Sequence, residues 1–124
     1  MAQHPVVVYG ASGYTGMLIM DWLIDQQIPF TAVARNAART KEMMAKRVVR
    51  LESATYEIIE AEHSVDSLIK AFKGAKVVCN TVGPFVNFGL TAVEAALKAG
   101  CHHIDTTGEQ GYMRQVREQF GELY

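Results

Sequence analysis

The chain has 124 residues, of which 49% are hydrophobic and 20% are charged, so it is long enough for one buried core. Twelve Lys and Arg against 13 Asp and Glu give a formal net charge of -1, which leaves no broad basic surface for a phosphate backbone. These values exclude a disordered or collagen-like chain, predict one domain over residues 1–124 and argue against a nucleic acid partner.

The apolar segments are short and alternate with helical patterns, as in a parallel sheet that is covered by helices. The sequence predicts strands at residues 6–9, 30–34, 56–61, 76–80 and 102–105, and helices at residues 15–27, 36–46, 64–72, 90–99 and 110–123. Ser64 is a predicted N-cap and Gly100 a predicted C-cap, whereas segment 47–55 is ambiguous. The first helix carries Leu18, Ile19, Trp22 and Leu23 on one side. The order predicts an α/β fold, a Rossmann-type doubly wound parallel sheet of about five or six strands with helices on both faces.

The start of the chain, its apolar stretches and its cysteines indicate the cellular compartment in which we expect the protein. No stretch approaches the roughly 18 apolar residues of a membrane span, and the first residues lack the pattern of a signal peptide. We therefore expect a cytoplasmic protein in which Cys79 and Cys101 are reduced thiols. His102 and His103 are adjacent in a strand and point to opposite faces, so no metal site is predicted.

A glycine-rich turn follows the first strand directly. Residues 10–16 read Gly-x-x-Gly-x-x-Gly and open a helix, where free N–H groups and the helix dipole bind a diphosphate. Gly10 permits the tight turn, Gly13 removes a Cβ from the path of the diphosphate, and Gly16 allows close packing on the sheet. The predicted diphosphate residues are Gly10, Ala11, Ser12, Gly13, Tyr14 and Thr15. A turn that merely connects strand and helix is the alternative, but the flanking elements favour nucleotide binding.

The end of the second strand indicates which dinucleotide binds. NAD-binding units carry an Asp or Glu about 20 residues after the glycine turn, whereas this chain has Arg35, 19 residues after Gly16. A guanidinium pairs well with the 2′-phosphate of NADP. Arg39 and Lys41 are near, and Asn36 is included in the predicted site. The predicted cofactor is NADP, and a solvated surface charge is the alternative for Arg35.

The residues after the fourth and fifth strands are further candidates, since ligands lie outside the carboxyl ends of strands in open α/β sheets. After the fourth strand, Val82, Gly83 and Pro84 are suited to pass close to the nicotinamide half of the cofactor. After the fifth strand, Asp105 and Glu109 either act on substrate or form a hydrogen-bonded turn that caps the last helix. We favour the turn.

Three segments, residues 6–16, 80–85 and 99–109, together resemble the NADP-binding domain of the saccharopine dehydrogenase-like family, including its trans-acting enoyl reductase-like members. The resemblance implies the cofactor domain of a larger oxidoreductase that positions the nicotinamide for hydride transfer. It implies that a small-molecule substrate binds a second domain, which is absent from these residues, and it is compatible with a homo-oligomer. The residues that it implies for the cofactor are Gly10, Ser12, Gly13, Tyr14 and Thr15 at the diphosphate, Arg35 at the 2′-phosphate, and Gly83 and Pro84 at the nicotinamide.

Other functions are weighed against this one. A non-catalytic NADP(H)-binding sensor or interaction module would use the same turn and stays open. A short-chain reductase needs a Tyr-x-x-x-Lys pair, which this chain does not contain. A methyltransferase-like fold generally has an acid at the end of the second strand, where Arg35 stands. No catalytic residue is assigned.

Overall fold

The computed structural model describes all residues from 1 to 124. Strands and helices alternate along the chain. They are β1 (Val6–Tyr9), α1 (Tyr14–Asp25), β2 (Phe30–Ala34), α2 (Ala37–Arg47), β3 (Tyr56–Glu60), α3 (Val65–Phe72), β4 (Val77–Asn80), α4 (Phe85–Ala99), β5 (His102–Asp105) and α5 (Gln110–Phe120). One short 3-10 turn, Leu51–Ser53, occupies the segment that the sequence left ambiguous.

The five strands form one parallel sheet in the order β3-β2-β1-β4-β5. The chain builds outward from β1 to β3 and then returns to the other side of β1. Tyr9, the last residue of β1, is therefore in register with Val33 of β2 on one side and Asn80 of β4 on the other. The carboxyl ends of β1 and β4 meet where the winding direction changes, which is the usual place for a ligand.

Successive side chains of β1 point to opposite faces of the sheet and belong to two separate hydrophobic cores. Val8 packs with Met20 of α1 and Met44 of α2, whereas Val7 packs with Leu68 of α3 and Ala92 of α4. Each face of the sheet is therefore covered by two helices, because successive side chains of a strand point to opposite faces. This confirms the predicted doubly wound α/β fold with five strands.

A third, smaller core joins α5 to α4. It consists of four buried side chains: Phe85, Val93, Tyr112 and Phe120. Gly89 lies on the inner side of α4, where an added Cβ would overlap the Tyr112 ring. The small residue thus lets α5 pack closely on α4.

The predicted strands match within two residues, and the Ser64 and Gly100 caps are confirmed. Ser64 Oγ accepts a hydrogen bond of 3.2 Å from the Ser67 N–H, and Gly100 adopts a left-handed φ of 82°. The predicted start of α4 was wrong, since the helix begins at Phe85 rather than at residue 90. Its first N–H groups are capped by Glu109, from a distant part of the sequence.

The predicted apolar side of α1 was also partly wrong. Leu18 and Trp22 are 51% and 59% exposed. The predicted Leu23 is buried, and Met17 and Met20 are buried beside it, because these positions share the helix face that lies on the sheet.

Both cysteines are free thiols, as predicted, and the Cys101 Sγ lies 3.4 Å from the Phe72 carbonyl oxygen. No helix here has both the length and the apolar character that crossing a bilayer requires.

Candidate cofactor site

A cleft of about 350 Å³ opens at the carboxyl edge of the sheet, where β1 and β4 meet. Its walls come from the ends of β1, β2 and β4, the segment after β3 and the first turn of α4. Seven of the predicted cofactor residues line it: Gly10, Ser12, Gly13, Arg35, Asn36, Val82 and Gly83. Among the other four, Ala11 is buried beneath the turn, Tyr14 and Pro84 are exposed, and Thr15 is half-buried. A shallower depression of about 580 Å³ lies on α5 and the residues that follow it, and its walls are mostly charged.

The three glycines of the turn have different roles. Gly10 has a φ of 84°, and a Cβ there would lie 2.6 Å from Thr81 Oγ1, while a Cβ on Gly16 would lie 2.5 Å from the Gly10 oxygen. The fold itself therefore requires these two glycines. A Cβ on Gly13 would lie 3.4 Å from the Gly10 oxygen, and its φ of -83° suits any residue. The absence of a side chain at Gly13 leaves the cleft open toward α1.

The N-terminus of α1 presents unpaired donors beside this opening. Gly13 occupies the N-cap position without a side-chain cap, and the first turn of α1 contains no acidic residue. The N–H groups of Ser12, Tyr14 and Thr15 have no acceptor within the chain. Free N–H groups and the positive end of a helix dipole bind phosphate groups.

The end of β2 supplies positive charge to the same cleft. Arg35 and Arg39 both line it, and neither forms an ion pair with a carboxylate of this chain. Asn36 fixes the turn between them, because its Oδ1 accepts a hydrogen bond of 2.9 Å from the Arg39 N–H and caps α2. Lys41 lies outside the cleft. Two free guanidinium groups at one edge suit a phosphate monoester.

The loop after β4 forms the opposite wall and is held at several points. Thr81 Oγ1 donates a hydrogen bond of 2.7 Å to the backbone carbonyl oxygen of Tyr9. Asn80 Oδ1 accepts one of 3.0 Å from the Val82 N–H. The Gly83–Pro84 peptide bond is cis. Since a Cβ on Gly83 would meet only a ring atom of Phe85, 3.9 Å away, this glycine leaves further open space.

Tyr9 and His63 were not predicted from the sequence. The Tyr9 hydroxyl hydrogen-bonds to His63 Nδ1, and both side chains line the cleft. Burial raises the pKa of Tyr9 to about 12, against the opposing charge of Arg35. Burial lowers the pKa of His63, a hydrogen bond with the Phe88 backbone opposes this shift, and the charge of Arg35 lowers the pKa further. His63 could have been found as the polar residue between β3 and the N-cap of α3, a position at the carboxyl edge.

The turn after β5 is structural, as we favoured, but it caps a different helix. Asp105 Oδ1 accepts from the Thr107 N–H at 3.1 Å, and the Tyr112 hydroxyl donates to Asp105 Oδ2 at 2.7 Å. The carboxylate of Glu109 does not cap α5, which follows it. It reaches the N-terminus of α4 instead, where the Phe85 N–H donates to it. No group of His, Cys, Asp and Glu side chains is arranged to hold a metal ion.

Comparison with known proteins agrees with this geometry. The family described as saccharopine dehydrogenase NADP binding domain matches residues 6–122. The chain belongs to this family. It is an NADP-binding domain with a Rossmann-like sheet, and its free N–H groups, its open Gly13 and its two unpaired arginines fit that cofactor.

Similar proteins of known sequence are much longer than this chain. A trans-acting enoyl reductase of Mycobacterium tuberculosis is 35% identical over 117 residues, covering 90% of this chain and 27% of that protein. A lipid droplet localized protein of Caenorhabditis elegans is 28% identical over 127 residues, covering 97% of this chain and 30% of that protein. The NADP-binding domain thus spans less than a third of either relative.

Solved structures agree on the fold. An NADPH-dependent quinone oxidoreductase from Escherichia coli, solved with NADPH, is 17% identical with a TM-score of 0.69, covering 95% of this chain and 45% of that one. A leucoanthocyanidin reductase from Vitis vinifera, also solved with NADPH, is 19% identical with a TM-score of 0.69. The match covers 95% of this chain and 46% of that one.

Proposed function

We propose that this NADP-binding domain serves an oxidoreductase of the saccharopine dehydrogenase-like kind and holds the nicotinamide for hydride transfer. The observation that carries the proposal is the pairing, in one cleft, of the uncapped α1 N-terminus at Gly13 with the unpaired Arg35 and Arg39. These are two anion sites of different chemistry, as a dinucleotide with an additional phosphate requires. The names of the longer relatives support the oxidoreductase role.

The diphosphate is assigned to the turn after β1. In this proposal the N–H groups of Ser12, Tyr14 and Thr15 donate to it, and Gly13 provides the space for its approach. Ala11 acts through its backbone, since its side chain is buried. No charged side chain is needed there, because the helix terminus supplies the positive potential.

The 2′-phosphate is assigned to Arg35, with Arg39 as a second cation and Asn36 holding the turn. Each guanidinium offers several N–H donors in one plane, a geometry that matches phosphate oxygens. Neither guanidinium gives up an internal ion pair to bind the ligand. The domain should therefore discriminate strongly against NADH, which lacks this phosphate.

The nicotinamide is assigned to the side of the cleft formed by Val82 and Gly83, next to which the exposed Pro84 lies. When bound, NADPH supplies a hydride from this ring. The loop is fixed from inside by Asn80 and Thr81, so its role is to orient the ring. The substrate is assigned to a part of the protein outside these 124 residues.

The test is equilibrium binding of NADPH and NADH to the 124-residue chain, followed by the fluorescence of the reduced nicotinamide. Trp22 is a poor reporter, since it is exposed on α1 outside the cleft. Arg35→Asp should weaken the binding of NADPH by about 10- to 100-fold, which is the contribution of hydrogen bonds to a charged group. The binding of NADH should not change. Arg117→Gln on α5 removes an exposed arginine outside the cleft and should change neither.

Three results would count against the proposal. Equal affinity of the wild-type chain for NADPH and NADH, or an unchanged preference in Arg35→Asp, would remove the 2′-phosphate assignment. Tight NADPH binding by a full-length protein that transfers no hydride to any enone, imine or carbonyl acceptor would favour the sensor function instead.

A further inference from the structure

Asn80 and His103 form a largely buried polar pair beside the loop that follows β4. Asn80 is 1% exposed, the His103 side chain is 7% exposed, and neither residue lines the cleft. His103 of β5 is in register with Val78 of β4. Because side chains alternate along a strand, His103 lies on the same face of the sheet as Asn80. Any effect of this pair on a ligand must therefore pass through the loop.

The backbone N–H of Val82 fixes the orientation of the Asn80 amide. This N–H can only donate, and it donates to Asn80 at 3.0 Å, so the amide atom that faces it is the oxygen. The NH2 end of the amide then faces Nε2 of His103 at 3.4 Å. Since an amide NH2 group is a donor, Nε2 is the acceptor and neutral His103 carries its proton on Nδ1. Nδ1 lies 3.8 Å from a carboxylate oxygen of Asp105, which suits a proton there.

Asn80 connects His103 to the wall of the cleft. Val82 lines the cleft on the side that the proposed function assigns to the nicotinamide. Its N–H has no acceptor in the chain other than Asn80, whereas Thr81 is tied separately to the backbone oxygen of Tyr9. The orientation of the Asn80 amide therefore determines whether Val82 is held.

We propose that His103 is a positioning residue for the nicotinamide, because it orients the Asn80 amide, which in turn holds the Val82 N–H. This inference rests on the proposed function and deepens it by naming a residue that acts on the nicotinamide half of the cofactor without touching it. When His103 takes up a second proton, Nε2 becomes an N–H that faces the Asn80 NH2 group. The amide then turns over so that its oxygen accepts from Nε2, and the Val82 N–H loses its acceptor.

The charged groups around His103 determine where this change occurs. Burial lowers the pKa of His103, and the Asp105 carboxylate on the same strand opposes this shift. Asp105 also accepts a hydrogen bond from the Tyr112 hydroxyl of α5, and β4 presents only the uncharged Asn80. The other charged side chains of the two neighbouring helices are paired with each other or exposed: Glu94 with Lys98 on α4, Arg114 with Glu118 on α5, and Arg117. We therefore expect the amide to turn over in mildly acidic solution, below the ordinary histidine pKa of about 6.5.

The decisive experiment compares two ligands that differ only in the nicotinamide. NADP⁺ and ADP-ribose 2′-phosphate share the adenine, both riboses and every phosphate, so protonation of the phosphates affects both alike. Calorimetric titrations at pH 7.5 and pH 5.0 give the ratio of the two affinities. In the wild-type chain, the advantage of NADP⁺ over ADP-ribose 2′-phosphate should fall by about three- to tenfold at the lower pH, which is the contribution of one hydrogen bond.

Three variants separate positioning from a merely structural role. His103→Gln offers Asn80 an acceptor oxygen that does not titrate, so it should keep the wild-type ratio of pH 7.5 at both pH values. His103→Leu removes the acceptor and should show the low ratio at both. His102→Gln is the matched control, since His102 is exposed on the same strand and should keep the wild-type pH dependence. Urea unfolding at each pH gives the folded fraction, so that a loss of structure is not read as a loss of affinity.

The outcomes distinguish this inference from the proposed function. A ratio that is the same at both pH values in the wild-type chain, or that falls equally in His103→Gln, would overturn the role of His103. The proposed function would still stand in that case if NADP⁺ binds more tightly than ADP-ribose 2′-phosphate. If the wild-type chain binds neither ligand, the proposed function itself fails, and the positioning of the nicotinamide fails with it.

NMR of the free chain tests the connection without a ligand. Nitrogen-15 spectra of the His103 ring at pH 7.5 should show a protonated Nδ1 and an unprotonated Nε2. As the pH is lowered, the backbone amide signal of Val82 should shift with the same midpoint as the His103 ring signals, and this titration should be absent in His103→Gln. A protonated Nε2 at pH 7.5, or a Val82 amide that does not follow His103, would overturn the inference.

Discussion

The carboxylate of Glu109 accepts a hydrogen bond of 2.7 Å from the backbone N–H of Phe85, which lies 24 residues earlier in the chain. Its other oxygen accepts from the Val86 N–H at 3.1 Å. The residue in the N-cap position of α4 is Pro84, which offers no side-chain cap. Glu109 thus supplies both the hydrogen bonds and the negative charge that a helix N-terminus favours. It also anchors the end of the loop that carries Val82 and Gly83.

Replacing Glu109 should therefore affect both stability and the loop. Glu109→Ala is expected to lower the free energy of unfolding by about 1–2 kcal/mol, the usual cost of a lost cap, as measured by urea unfolding. Glu109→Gln keeps one acceptor oxygen and should lose less. In the folded chain, Glu109→Ala should weaken the binding of NADPH more than the binding of adenosine 2′,5′-bisphosphate. The second ligand has no nicotinamide and does not reach Val82 and Gly83. Equal weakening of the two ligands would contradict the link to the loop.

Gly13 and Gly16 offer a matched pair for testing the glycine turn. Gly13→Ala meets no clash within the chain and should cost less than about 1 kcal/mol of stability, yet weaken NADPH by at least about tenfold because the Cβ stands in the path of the diphosphate. Gly16→Ala would bring its Cβ to 2.5 Å from the Gly10 oxygen and should destabilise the fold by about 1–3 kcal/mol. Calorimetric binding and thermal unfolding together separate the two effects. Unimpaired NADPH binding by Gly13→Ala would show that the diphosphate does not bind beside Gly13.

The fold was largely readable from the sequence because its signals are local. The β-branched run of β1, the Ser64 cap and the left-handed Gly100 each depend on a few neighbouring residues. The start of α4 was not readable, since its cap comes from Glu109 after β5. Gly89 lies within α4 although glycine disfavours helices, because the Tyr112 ring occupies the space where a Cβ would be.

The site was readable where it depends on backbone geometry. Gly10 and Arg35 follow buried strands at a spacing that the fold dictates, so their place at the cleft follows from sequence. The Tyr9 and His63 pair was not readable, because the two residues are 54 positions apart. Tyr9 looked like an ordinary apolar strand residue, and only the fold brings its hydroxyl to the imidazole.

The hydroxyl of Tyr112 should stabilise the packing of α5. It donates to Asp105 Oδ2 at 2.7 Å, and its ring is 1% exposed. Burial is the main cause that raises the pKa of Tyr112, with the Asp105 carboxylate acting in the same direction. Tyr112→Phe keeps the ring and should cost about 1.5–3 kcal/mol of unfolding free energy, the range for hydrogen bonds to charged groups. Tyr124→Phe is the control, since that hydroxyl donates only to the neutral Val93 oxygen at 2.7 Å and should cost less. Equal losses would show that the Asp105 charge adds nothing.

His103 should make stability depend on pH in the mildly acidic range. Its side chain is 7% exposed, and burial lowers its pKa, although Asp105 opposes this effect. Asn80 Nδ2 lies 3.4 Å from His103 Nε2 and donates to it, an interaction that requires the unprotonated nitrogen. The unfolded chain therefore binds a proton more readily than the folded one. Stability should be fully present above about pH 6.5 and should fall as the pH drops from there toward the lowered pKa.

The effect can be isolated with His103→Gln, which keeps a hydrogen-bonding side chain that does not titrate. We expect the loss of unfolding free energy between pH 7.5 and pH 5.0 to be smaller in this variant than in the wild-type chain. His102→Gln is the matched control, because His102 is exposed on the same strand and should leave the pH dependence unchanged. Parallel curves for the wild-type chain and His103→Gln would mean that the buried imidazole carries no part of the acid sensitivity, which would then lie with the carboxylates.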